Sequence, residues 1–220
     1  MRIAKEKQPA ILLLENVPNI LRIERGLILR TIVTTLRGIG YHTHIDTLNA
    51  SYFGIPQGRK RVYFVCIHND LAKDITYQKP VPTFERIYLK DVLEKDYDPH
   101  LINKRTDVIF TKLDRLLKCR LRLQCLGYFK KGGQGQRVYS IKGHARTLTT
   151  SAGGIGGGYG FYWVDNMMRR LSVVENKRIM CFPDTHVISS GRWGCIQLGN
   201  AVIPNIVEKV YMGVVGNPKR

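Results

Sequence analysis

Regular patterning begins with four consecutive large aliphatics, Ile11 to Leu14, which run straight into Glu15, Asn16, Val17 and Pro18. A short unbroken apolar run reads as a strand buried on both faces, as in the parallel sheet of an α/β domain. Such sheets present their chemistry beyond the carboxyl ends of the strands, where Glu15 and Asn16 fall, although polar residues there also open ordinary loops. Between Ile20 and Leu36 the apolar positions Leu21, Leu27, Ile28, Ile32, Val33 and Leu36 are separated by Arg22, Glu24, Arg25 and Arg30. That spacing predicts an amphipathic helix over 20–36, closed by Gly38 and Gly40. Tyr41–Leu48 alternates as a strand does, Gly54-Ile-Pro-Gln-Gly58 predicts a tight irregular loop, and Val62–Ile67 predicts a strand that is almost wholly apolar. The order strand, helix, strand, loop, strand is that of the back half of a doubly wound α/β sheet.

The pattern then changes. Leu71–Pro99 is a polar connection with one helix expected near Leu89–Leu93, and a further helix is expected over Thr106–Leu117. Two glycine-rich tracts, Lys130–Arg137 (KKGGQGQR) and Thr149–Gly160, flank a short strand at Val138–Ile141. They predict a small β-rich module that presents loops. Ser172-Val-Val-Glu175 is a capping box that starts a helix through Cys181, ended by Phe182-Pro183. Leu198–Val215 reads as one apolar helix that returns to the sheet. The expected organisation is residues 1–99 as a partial α/β domain, 100–170 as the β-rich module and 171–220 as helices going back to the first part.

Charge sharpens this picture. The 220 residues carry 35 Lys and Arg against 17 Asp and Glu, a formal charge of +18. Such an excess points to a polyanion, nucleic acid before membrane, because no basic amphipathic helix stands out. Leu101–Thr150 alone holds twelve Lys or Arg against two Asp or Glu, which marks a binding surface. The five cysteines form no CxxC pair, so neither a disulfide framework nor a zinc site is expected, and a reducing cytoplasm is. The stretch MRIAKEKQP has no apolar signal core, and no apolar run nears the ~18 residues that cross a bilayer. The expectation is a cytoplasmic protein of bacterial type associated with the nucleoid.

Four short stretches, in this order, resemble the carbon-5 cytosine-specific DNA methyltransferases over nearly the whole chain. Glu15-Asn16-Val17 looks like the family's base-recognition strand end, and Gln57-Gly-Arg59-Lys-Arg61 like its QxRxR element. Arg146-Thr-Leu-Thr149 looks like the RxLT that closes the target-recognition domain, and Gly199-Asn200-Ala201-Val202 like the GNxV of the final helix. The run KGGQGQRVYS further resembles the recognition loop of a small bacterial member that reads GCGC. The resemblance implies a Rossmann-like methyltransferase sheet, here its C-terminal part, with a small β-rich target-recognition domain. It also implies methyl transfer from S-adenosylmethionine to C5 of a cytosine flipped out of double-stranded DNA, within a restriction-modification system.

That chemistry needs a thiolate to add at C6, so that C5 becomes nucleophilic. The negative charge then developing on the N3/O2 side must be met by donors. The resemblance puts Glu15 at the carboxyl position that protonates or hydrogen-bonds N3 and accepts from the exocyclic amine. It puts Arg61 at the guanidinium position facing O2, with Arg59 beside it to orient Glu15 or bind phosphate; a generic basic turn is the plain alternative. Arg137 is placed to make a bidentate contact with guanine, and Gln134 and Gln136 to touch base edges or to fill the hole left by the flipped cytosine. The alternative for that loop is a glycine hairpin whose Lys130 and Lys131 touch phosphates only. Asn200, with Ala201, matches a position that shapes the cofactor pocket; a helix cap is its plain alternative.

Two family features are missing from these residues: no FxGxG-like loop, which forms the main cofactor cradle, and no Pro-Cys dipeptide, which carries the nucleophile. Cys66, Cys181 and Cys195 read as packing residues. A parallel sheet cut here would expose an apolar edge. The expectation is a split enzyme whose N-terminal methyltransferase subunit carries the cofactor loop and the cysteine, this chain being inactive alone. A non-catalytic DNA-binding remnant is the alternative, and an RNA cytosine methyltransferase relative a third.

Overall fold

The computed structural model of the protein describes residues 1–111, 123–129, 134–149 and 160–216. Its helices are α1 (Arg2–Lys7), α2 (Leu27–Gly38), α3 (Val173–Ile179), α4 (Gly191–Asn200) and α5 (Pro204–Val215). Its strands are β1 (Ile11–Asn16), β2 (Tyr41–Asn49), β3 (Lys60–His68), β4 (Val108–Phe110), β5 (Cys125–Phe129), β6 (Arg137–Ser140), β7 (Phe161–Val164) and β8 (Met167–Arg169). Contacts group the chain into two units, one of residues 1–49, 60–82 and 205–220, the other of residues 50–59 and 83–204. This is a different division from the segments 1–99, 100–170 and 171–220 read from composition and motif.

In the first unit three strands lie in the order β1-β3-β2, and β3 is antiparallel to both neighbours. β1 and β2 therefore run the same way with β3 inserted between them. The central position explains why every residue from Val62 to Ile67 is buried. One face, with Leu12, Leu14, Val62, Phe64 and Cys66, is covered by Leu29, Ile32 and Leu36 of α2. The other face carries Glu15, Tyr63 and Arg61. The parallel, doubly buried strand expected at Ile11–Leu14 is corrected: β1 is antiparallel to its partner and its four aliphatics are only half-buried. An apolar run signals burial and extended backbone but carries no information on strand direction. α2 starts later than its periodicity predicts, because Glu24, Arg25 and Gly26 take left-handed backbone (φ 47°, 54° and 85°) that no right-handed helix contains.

The second unit is built on a five-stranded sheet in the order β4-β5-β6-β7-β8, antiparallel except between β6 and β7. Phe129, Val138, Phe161 and Met168 form its core, with Val108 and Trp163 packed on them. The helix expected over Thr106–Leu117 is corrected where the structure describes it: Val108–Phe110 is a strand paired with Phe129–Gly127. Branched Val108 and Ile109 suit a pleated surface better than a helix. Residues 112–117 lie outside the described residues, as does most of the Thr149–Gly160 tract. Gly160 is required where the chain enters β7, since a Cβ there would stand 2.5 Å from the Tyr139 ring. The capping box before α3 forms as read, Ser172 accepting from Glu175 N–H and Glu175 from Ser172 N–H. The single helix expected over Leu198–Val215 is two helices, α4 and α5, separated at Ala201–Ile203. Pro204 has no N–H to continue α4 and biases its predecessor away from helical backbone, yet fits the first turn of α5.

Candidate functional site

Glu15 is the penultimate residue of β1 and stands opposite Tyr63 of β3. Arg61 is two residues before Tyr63 on the same face, a diagonal neighbour within reach of a long side chain. Its Nε lies 2.9 Å from Glu15 Oε1, and the two side chains stay 13% and 23% exposed. Arg61 Nη1 donates to the Lys60 carbonyl at 2.8 Å, which fixes the guanidinium plane. Asn16 ends the strand by accepting from Val17 N–H at 2.8 Å through its side-chain oxygen. The result is an ion pair at the carboxyl end of β1, largely covered but with part of each side chain in solvent.

The other polar residues of Gln57–Arg61 do different work within the second unit. Gln57 is fully buried; its Nε2 lies 3.2 Å from the Ile179 carbonyl and 3.2 Å from Met180 Sδ. Around it the backbone is laced to Ala145, whose N–H donates to Pro56 at 2.7 Å and whose carbonyl accepts from Gly58 at 3.1 Å. The Thr147 hydroxyl donates to the Gly58 carbonyl. Arg59 is 4% exposed. Its Nη1 donates to the Leu148 carbonyl at 3.0 Å, and its Nη2 to the carbonyls of Gly199 at 3.0 Å and Ala201 at 2.9 Å. The guanidinium thus staples Arg146–Thr149 to Gly199–Val202. Sequence reasoning missed this role, since the acceptors are backbone carbonyls that leave no signature in residue type.

Arg137 opens β6, exposed, and pairs with exposed Tyr128 on β5. Gln134 and Gln136 bound the short helical turn just before it, and Gln136 is half-buried. Lys130 and Lys131 lie outside the described residues. So the structure joins Glu15 to Arg61 in one unit, and in the other joins Arg59 to the two stretches read as RxLT and GNxV.

The family model of the C-5 cytosine-specific DNA methylases matches residues 1–214. The chain belongs to this family. It is 35% identical over 217 residues to the type II methyltransferase M.HhaI of Haemophilus parahaemolyticus, covering 97% of this chain and 65% of that protein. It is 32% identical over 215 residues to the type II methyltransferase M.MspI of a Moraxella species, covering 96% of this chain and 47% of that protein. The chain thus spans about half to two thirds of the length of these relatives. Among solved structures, the Dnmt2 methyltransferase of S. pombe matches with a TM-score of 0.63 at 17% identity, over 92% of this chain and 64% of that one. A prophage-encoded DNA modification methyltransferase of E. coli matches with a TM-score of 0.64 at 19% identity, over 96% and 70%. The fold is accordingly the mixed α/β fold of the methyltransferases. Among the described residues no helix is long and apolar enough to cross a membrane.

For a cytosine methylase the state of each thiol matters. Burial pushes the Cys181 thiol up to about 11 and raises those of Cys66 and Cys195 as well. None of these three is poised as a thiolate near neutral pH, the form that attacks carbon. The family uses S-adenosylmethionine. Asn200 offers one exposed amide at the end of α4, in a turn whose flanking carbonyls Arg59 holds, and this fits an edge contact to that cofactor. The Ala201 carbonyl is already taken by Arg59 Nη2.

Proposed function

We propose that this chain forms the base-clamping and DNA-reading part of a DNA (cytosine-5)-methyltransferase. The thiol and the main cofactor cradle would come from a further segment, a separate N-terminal subunit or another stretch of the same polypeptide. The observation that carries the reading is the half-open Glu15–Arg61 pair at the end of β1. A carboxyl and a guanidinium side by side match the N3, exocyclic amine and O2 edge of cytosine. Glu15 meets the ring at N3 and the amine, and Arg61 donates to O2 as charge develops there. A pair already joined before the base arrives needs little reorganisation, which favours the transition state over the ground state. Arg59 acts one step back, as a positioning residue. S-adenosylmethionine supplies the methyl group when bound, and Asn200 is the residue here that would touch it.

Arg137 reads a guanine from the exposed start of β6 and the basic charge of residues 101–150 holds the phosphates. The half-buried aliphatics of β1 support the need for a further segment, because among the described residues β1 pairs with β3 alone. The test is complementation. The chain is mixed with a polypeptide carrying an FxGxG-like loop and a Pro-Cys, and transfer of a labelled methyl group to duplex DNA of varied sequence is followed. Transfer that needs both components is expected. A folded mixture that binds duplex but transfers nothing would make the chain a non-catalytic DNA-binding remnant.

A further inference from the structure

The second unit contains a cleft of about 400 Å³ that the methylation reading leaves unused. It opens on the core face of the sheet, beside the hairpin of β7 and β8, and its walls include Val108, Phe110, Trp163 and Met167. Phe110 meets Trp163 edge to face, with ring centroids 5.5 Å apart and planes at 88°. Phe110 is 55% exposed and Met167 39% exposed, so this apolar surface faces solvent. The rim is polar and basic, with Lys104 and Asn166. Arg105, also at the rim, is paired with Asp107 at 2.5 Å and lies 4.3 Å from the Phe129 centroid, which leaves Lys104 as the rim cation without a described carboxylate.

An aromatic slot with an amide and an ammonium at its mouth has the make-up of a nucleotide site: a flat apolar wall for the base, a donor and acceptor for its edge, and a charge for its phosphate. We infer that this cleft takes a single unstacked nucleobase of the DNA, a base other than the cytosine to be methylated, with Lys104 on the adjoining phosphate. The inference rests on the DNA-binding reading above. The volume is ample for one base with its sugar, and the occupant inferred is a displaced or unpaired nucleotide.

Trp163 reports on its own cleft. The chain has two tryptophans, and Trp193→Phe leaves Trp163 as the only one. Titrating this variant of the full chain with oligothymidylate should quench its fluorescence saturably. Phe110→Ala and Lys104→Glu should each weaken that binding by about fivefold or more, the scale of one lost base stack. Met167→Glu, a change at a half-exposed wall position, should do the same without touching the core. Duplex binding is measured in parallel. Duplex binding with an unquenched Trp163, or quenching untouched by all three substitutions, overturns the cleft assignment alone. A chain that ignores duplex DNA overturns the parent reading and this one with it. If N-acetylphenylalanine amide quenches Trp163 and oligothymidylate does not, the cleft is a protein-docking site and the assignment falls.

Discussion

Two of the arginine–glutamate pairs among the described residues, Arg169–Glu175 and Arg61–Glu15, are built for opposite ends. Arg169 and Glu175 are both wholly buried, joined by two bonds of 2.7 Å. Glu175 also accepts from the N–H groups of Glu94 at 3.0 Å and Ser172 at 2.8 Å, and Arg169 lies 4.1 Å from the Tyr97 ring centroid. Every oxygen of that carboxylate is occupied, and its packing admits no ligand. Glu15 and Arg61 share one contact at 2.9 Å and keep part of their surface in solvent. A sealed pair can only hold the fold, whereas a pair left half-satisfied can exchange partners with a ligand. Burial and the number of hydrogen bonds on the carboxylate, more than charge or residue type, separate the two.

The largest effect that would break this comparison is on folding. Glu175→Ala strands a buried guanidinium and should lower stability by about 3–5 kcal/mol, read by urea unfolding. Arg61→Ala should cost less, about 1–2 kcal/mol by the same measurement, because Glu15 keeps part of its side chain in solvent. Equal losses at the two sites would erase the distinction between a structural and a working pair.

Activity should reverse the order. In the complemented enzyme, Glu15→Gln and Arg61→Ala should each cut turnover by about 10²–10³-fold, the scale of removing one donor from a developing anion. Duplex binding should be unchanged in both. A normal rate in either variant would remove that residue from the chemistry.

Arg59 sharpens the comparison from within the same five-residue stretch. Arg59→Ala leaves three carbonyls without their donor and should destabilise the chain by about 1–3 kcal/mol. Arg59→Lys should recover part of that loss, since an ammonium is a point donor that cannot span all three as the planar guanidinium does. If Arg59→Ala instead left stability intact and weakened DNA binding, the phosphate-contact alternative would be the better account.

The sequence made some of this legible and hid the rest for identifiable reasons. β3 was readable because a central strand writes its burial directly into an unbroken apolar run. The capping box at Ser172 and Glu175 was readable because its hydrogen bonds are local. Glu15 and Arg61 came from a family resemblance, and the register of β1 on β3 then accounted for their meeting. The direction of β1 was not legible, because periodicity is blind to it. The late start of α2 was hidden behind apolar spacing that continues through Glu24–Gly26, where the backbone turns left-handed. Pro204 was a visible warning that one helix was two. Arg59 was the hardest, for Arg59 and Arg61 look alike on paper and differ only in which acceptors the fold brings to them.

The smallest effect concerns Arg137, which is exposed where Arg61 is largely covered and which opens β6. It stands at the start of β6, opposite exposed Tyr128, and its side chain hydrogen-bonds that of Tyr139. Arg137→Ala should therefore lower folding stability by about 1 kcal/mol or less, the scale of one hydrogen bond made by an exposed residue. If the guanidinium makes a bidentate contact with guanine, the same change should cost about 1–3 kcal/mol of discrimination at one base pair. Competition between duplexes that differ at a single guanine, at fixed salt, separates this from phosphate binding. A lost phosphate contact weakens all sequences alike and flattens the salt dependence, while a lost base contact narrows the gap between the preferred site and its variants. An unaltered gap would return Arg137 to the phosphate-positioning role, and base reading would then have to lie elsewhere in the basic stretch 101–150.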